Sequence, residues 1–219
     1  MTLTRMVAFV AILSFSASAF ASFIVEPNGV GSGNFAFGGD TTTASNSVAS
    51  TAPGTSGAAS IFGGDGVALP DTYLYTYTPG VDGDNVSIPV NTVLNNADGE
   101  IAAGLTAGGT GTYKVYATWP FTSNVSGGPT RYTLNDGGSD LFTIDLDQNG
   151  GGGGIGNEWY LLGTATLDAS TTYTLTQEVT VSNSFVSMRS GGVLFELVPE
   201  PSTALLALLG AVAVVARRK

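Results

Sequence analysis

Gly111-Thr112-Tyr113-Lys114-Val115-Tyr116-Ala117-Thr118-Trp119-Pro120 is the stretch that decides the fold. Tyr113, Val115, Ala117 and Trp119 share one side of an extended chain, and Lys114 and Tyr116 lie on the other. A period of two residues marks a half-buried β-strand. The same pattern spreads outward. Residues 72–78 alternate Thr with Tyr and Leu and then meet the turn pair Pro79-Gly80. Residues 85–90 and 101–105 read as further short strands. Residues 130–134 precede the turn Asn135-Asp136-Gly137-Gly138. Residues 141–147 place Phe142, Ile144 and Leu146 on one face and Thr143, Asp145 and Asp147 on the other. A glycine tract, 150–154, makes a loop. Segments 158–167, 172–181 and 192–198 complete the series. Nothing between the two chain ends has the period of an amphipathic helix. The expectation is an all-β domain over residues 67–198, an antiparallel β-sandwich of jelly-roll-like order. Residues 22–66 are rich in Gly, Ser, Thr and Ala with little periodicity, and read as a stalk or a loosely packed entry segment.

The two ends read differently. Residues 1–21 carry one cation, Arg5, then an apolar run and small residues up to Ala19-Phe20-Ala21. Ala19 and Ala21 form an Ala-x-Ala cleavage site, so this is a secretory signal peptide cut before Ser22, for export by the Sec machinery. At the other end, Pro199-Glu200-Pro201 precedes an uncharged apolar run, 203–216, and the triplet Arg217-Arg218-Lys219. Such a run reads as a transmembrane helix with its basic end on the cytoplasmic side. Fourteen residues at about 1.5 Å each rise about 21 Å, short of the roughly 30 Å hydrocarbon core. Snorkelling arginines cover part of the gap, and the marginal span suits a temporary anchor.

Cysteine and histidine are both absent from the 219 residues. Disulfides and thiolate metal sites are therefore excluded, along with the commonest general base. All 17 acidic residues lie between Glu26 and Glu200. Between the two ends their counter-charges are Lys114, Arg131 and Arg189 alone, which leaves the exported part at −14. Such a surface repels nucleic acid. It would also repel an acidic polysaccharide unless a divalent cation bridged the two.

The tail, residues 199–219, resembles the PEP-CTERM sorting signal of Gram-negative bacteria. That resemblance implies an exosortase as partner and passage through the inner membrane. It further implies delivery to the cell envelope or extracellular matrix of an organism that makes extracellular polysaccharide. Within the domain, the 111–120 strand is followed by Arg131-Tyr132-Thr133-Leu134, then Ile144-Asp145-Leu146-Asp147-Gln148, then Glu158-Trp159-Tyr160-Leu161-Leu162-Gly163. This succession resembles the golvesin C-terminal-like domain, also seen beside xanthan lyase catalytic modules. The family's closing Ala-Asp-Ala-Val-Arg-Phe strand is replaced by Gly191-Gly192-Val193-Leu194-Phe195-Glu196. The resemblance implies a carbohydrate-binding-module-like sandwich without catalytic machinery.

Three constellations could carry function. Asp145-x-Asp147-x-Asn149-Gly150 matches the first half of a calcium loop, with hard oxygen ligands at alternate positions and a turn-forming Gly. Its twelfth position is Gly156 instead of a bidentate Glu, so the same residues also read as the solvent face of a strand. Trp119, Trp159, Tyr113, Tyr116 and Tyr160 could stack on sugar rings or fill the core. Tyr116 and Tyr160 are the candidates for carbohydrate contact, Tyr116 because it lies opposite Trp119. Carboxylates are numerous, yet no spacing singles out a glycosidase pair. The reading is a non-catalytic exported protein that contacts polysaccharide and needs no cofactor, Ca²⁺ being the one candidate ion. The alternatives are a purely structural matrix protein and a carboxylate-dependent glycan hydrolase or lyase.

Overall fold

The computed structural model describes residues 22–39, 44–63, 72–83, 85, 109–121, 129–148, 156–180 and 188–198. Both ends of the chain, with Ala19 and Ala21, the Pro199-Glu200-Pro201 motif and the Arg217-Arg218-Lys219 triplet, lie outside the described residues, as do the strands expected over 86–90 and 101–105. The described part is an all-β sandwich in which every strand pairing is antiparallel. One sheet holds β1 (Ser22–Val25), β12 (Gly192–Leu197), β6 (Gly111–Thr118) and β9 (Tyr160–Leu167), in that order. The facing sheet runs β2 (Phe35–Gly38), β5 (Thr72–Tyr77), β10 (Tyr173–Val179), β7 (Pro129–Asn135) and β8 (Asp140–Asp147). A small third sheet joins β11 (Arg189–Ser190), β4 (Ile61–Phe62) and β3 (Ser45–Asn46).

The alternation read from the sequence becomes the core. Tyr113, Val115 and Ala117 of β6 point inward with Tyr73, Tyr75 and Tyr77 of β5. Tyr77 joins the two sheets. Its ring stacks on Phe23 at 5.0 Å and on Phe195 at 4.8 Å, and meets Tyr113 edge-on at 5.7 Å. Buried aromatic pairs of this kind contribute about 0.5–1.5 kcal/mol each beyond their area. Gly163 of β9 lets the Phe142 ring of β8 rest on the backbone; a Cβ there would stand 2.8 Å from the ring.

The domain begins earlier than the composition suggests. Within residues 22–66, expected as a stalk or loosely packed entry segment, the described residues carry β1, β2, β3 and β4, each paired into one of the three sheets. β1 pairs with β12 through Ser22↔Glu196 to Val25↔Val193 and is buried on both faces. A strand covered on both sides has no polar alternation to read, so it passes for an isolated apolar patch. Among the described residues, Asn85 bonds the other edge of β1. Its side chain accepts from the Ile24 N–H at 2.7 Å and donates to the Ile24 carbonyl at 2.7 Å, the pair of bonds that a strand residue would make.

Residues 47–60 lie over the outer face of the four-stranded sheet. There Ile24, Leu194 and Tyr116 form one cross-strand row with Leu161. Ala52 and Trp159 pack onto it as a second, smaller core. Several polar bonds hold the segment down, among them the Thr51 N–H to Asn157 Oδ1 at 3.2 Å and Asn28 Nδ2 to the Ala59 carbonyl at 2.9 Å. Trp159 Nε1 donates to the Pro53 carbonyl at 2.8 Å. Ser50 and Thr118 share a buried hydroxyl contact at 2.8 Å. The buried Glu26 carboxylate accepts from the Ser56 N–H at 2.9 Å, the Ser56 hydroxyl and the Val30 N–H at 2.8 Å.

Candidate functional site

The accessible polar surface is the outer face of the five-stranded sheet. Strand register arranges it in rows. One row reads Thr72, Glu178, Arg131 and Asp145; the next reads Leu74, Thr176, Thr133 and Thr143; the third reads Thr76, Thr174, Asn135 and Asp140. Between β7 and β8 the row neighbours touch. The Thr133 and Thr143 hydroxyls are 3.2 Å apart, and Asn135 Nδ2 donates to Asp140 Oδ1 at 2.9 Å. Arg131 grips Asp145 with two parallel bonds, Nε to Oδ1 at 2.8 Å and Nη2 to Oδ2 at 2.9 Å. The result is a plane of hydroxyls, amides and carboxylates at strand spacing, chemistry suited to a hydroxyl-rich polymer. Each such hydrogen bond is worth only about 0.5–1.5 kcal/mol net, so a polymer would be held by many contacts at once.

The aromatic candidates are corrected by burial. Tyr116 is 0% exposed, because residues 47–60 cover the face on which it stands; its hydroxyl donates to Glu196 Oε2 at 3.1 Å. Tyr160 is also buried and stacks on Trp119 at 4.5 Å. All eight tyrosines and both tryptophans are in fact buried, so none can stack on a sugar as the chain stands. Among the described residues, Phe121 is the exposed aromatic side chain.

The carboxylate candidates separate. Asp145 lies on the sheet face as expected for a strand, but both its oxygens are committed to Arg131. Asp147, at the end of β8, acts electrostatically on Arg189. Asn149 lies outside the described residues. Among those described, no group of three or more acidic side chains could hold a metal ion. The Arg131 hydrogen bonds hold the Asp145 carboxyl below its ordinary pKa, against a smaller opposing effect of partial burial. A depressed carboxylate stabilises the fold above the unfolded pKa of about 3.9, and that contribution is lost as pH falls through the folded value. Asp145→Asn should therefore lower the urea midpoint at neutral pH and leave it unchanged near pH 2. A midpoint gap that persists in acid would mean the substitution acts through packing.

A polar knot centred on Arg189 lies inside the sandwich. Arg189, 2% exposed, donates from Nη1 to the Pro120 carbonyl at 3.3 Å and from Nη2 to the Gln148 carbonyl at 2.5 Å. The Gln148 side chain accepts from the Arg189 N–H and donates both to the Arg189 carbonyl and to Tyr132, each at 2.8 Å. Gln177 adds a bond to the same carbonyl at 2.9 Å, and Tyr75 links Gln177 to Ser190. Burial lowers the Arg189 pKa, while Tyr132 and Asp147 act in the opposite sense. Burial likewise pushes the Tyr75 and Tyr132 hydroxyls well up, so both stay protonated. The one signal in the sequence was an arginine in a chain almost without cations.

Comparison with known proteins adds the following. No curated protein matches the chain. Among solved structures, it is similar to a Paenibacillus xanthan lyase at 20% identity and a TM-score of 0.44, covering 82% of this chain and 13% of the lyase. It is similar to a family 35 carbohydrate-binding module from an environmental isolate at 11% identity and a TM-score of 0.40, covering 82% of this chain and 99% of the module. A family 35 module from Clostridium thermocellum aligns at 12% identity and a TM-score of 0.42, covering 79% of this chain and 97% of the module. Residues 197–219 match the PEP-CTERM protein-sorting motif. The sorting signal thus starts on Leu197, the last residue of β12.

Proposed function

We propose that this chain is an exported, non-catalytic protein of the cell envelope or extracellular matrix of a Gram-negative bacterium. Its signal peptide is removed before Ser22, and an exosortase processes it near Pro199-Glu200-Pro201 after insertion in the inner membrane. The sandwich then contacts polysaccharide through the polar face of the five-stranded sheet. The observation that carries this reading is the sorting motif at residues 197–219, joined directly to a folded β-domain. The golvesin C-terminal-like resemblance belongs to the same proposal, and its strand succession falls in order on β6, β7, β8 and β9.

A second reading, a structural matrix protein with no discrete ligand, is favoured by the burial of every tyrosine and tryptophan. Cell fractionation and a glycan array separate the two. The chain should lose its tail and leave the inner membrane, and replacing Pro199, Glu200 and Pro201 with alanine should retain it there at full length. The processed form, recovered from its final fraction, should then bind neutral glycans on the array, with or without Ca²⁺. Correct sorting without glycan binding would leave the structural reading. Unchanged sorting of the alanine variant would sink the exosortase assignment.

A further inference from the structure

We infer that, until its tail is processed, the sandwich stands on the bilayer by one defined end and presents the opposite end outward. This rests on the reading of residues 199–219 as a membrane-anchored tail. The geometry comes from the strands. β1 begins and β12 ends at the same end of the domain, since Ser22 pairs with Glu196. Val198 is still fastened to the sheet, its N–H donating to the Thr112 carbonyl at 2.8 Å. Other connections gather at that end. The Asn85 N–H donates to the Ser22 carbonyl at 3.3 Å, and the Ser170 N–H to the Pro79 carbonyl at 2.8 Å. The turn after β5 follows Tyr77, which stacks against Phe23 and Phe195. Its tip is Val81, 67% exposed. At the far end of β6 stands Phe121, 62% exposed.

Magnitudes fix the orientation. β6 is eight residues long, so the two ends lie about 27 Å apart at about 3.4 Å per residue. Between Val198 and the apolar run at residue 203 stand residues 199–202, which span at most about 14 Å even when fully extended. The tether is therefore too short to let an upright sandwich turn over. Asp82, Asp136, Asp140 and Asp168 stand at or beside this end, so anionic headgroups repel it. The short tether, not adhesion, sets which end faces the lipid. The outward end then carries Phe121 and the loops leaving β6 and β8.

The absence of cysteine makes the test clean. Val81→Cys and Phe121→Cys, each exposed and each the only thiol in its chain, would be labelled with a donor dye. The chain without its signal peptide, Ser22 to Lys219, would be placed in phosphatidylethanolamine–phosphatidylglycerol vesicles carrying a headgroup acceptor. Energy transfer from position 81 should exceed that from position 121 severalfold. Co-flotation with equal or reversed transfer would overturn the orientation while leaving the anchor intact. Failure to float with the vesicles would overturn the anchor reading and this proposal with it.

Discussion

Arg189→Ala should destabilise the domain by about 3–5 kcal/mol, the range for breaking a buried charge out of its hydrogen-bonded surroundings. The guanidinium supplies the donors for the Pro120 and Gln148 carbonyls, and alanine leaves both without them. Asp147 loses its buried counter-charge at the same time. The Arg189 backbone keeps its bonds to Gln148 and Gln177, so the substitution isolates the side chain. Arg189→Lys should recover only part of the loss, since one ammonium cannot reproduce a planar fork aimed at two carbonyls. Urea unfolding of the three proteins gives the comparison. If Arg189→Ala costs under about 1 kcal/mol, burying the guanidinium has consumed nearly all that its hydrogen bonds return.

Trp159→Ala should cost a similar amount, about 3–5 kcal/mol for emptying a buried tryptophan site. The loss should have a second signature. Trp159 packs with Ala52 and is bonded to Pro53, so its removal frees the segment that covers the four-stranded sheet. Thermolysin should then cut within residues 47–60 before the rest of the domain yields. Trp159→Phe, which keeps most of the packing and loses the N–H, should lie much closer to the parent. If the alanine variant is destabilised with no new cleavage in 47–60, Glu26 and Ser50 suffice to hold the segment down.

The two predictions fall on features that the sequence hid, and the reasons are physical. Alternation along 111–119 reports which side chains share a face, and Tyr113, Val115, Ala117 and Trp119 do fill the core. Alternation does not report what covers the other face. Tyr116 looked available because its cover, residues 47–60, has no period of its own and binds through a few hydroxyls, one carboxylate and a tryptophan N–H. The Arg131–Asp145 pair was hidden by register. Counting back from the Asn135↔Asp140 pair at the turn sets Arg131 opposite Ile144. A one-residue irregularity between Leu134 and Asn135 moves it onto Asp145. One residue of slip exchanges faces throughout a strand, so a bulge invisible in the sequence decided whether Asp145 was an open ligand or half of an ion pair. Arg189 was harder still, since its partners come from Pro120, Gln148 and Gln177, brought together only by the finished sandwich.

The pairing of β1 with β12 has a kinetic consequence. Ser22 meets Glu196, so the contact closes almost the whole length of the described chain. Contacts so distant in sequence form slowly, because the loop entropy is lost before the contact gives anything back. In the proposed export, the chain crosses the membrane from its N-terminus, and β1 emerges first while β12, the strand it pairs with, emerges near the end. Phe23, Ile24 and Val25 then remain uncovered for the whole of translocation. The strand most exposed to misassociation or chaperone capture is thus the one that completes the sheet, and folding cannot finish before the chain has almost entirely arrived.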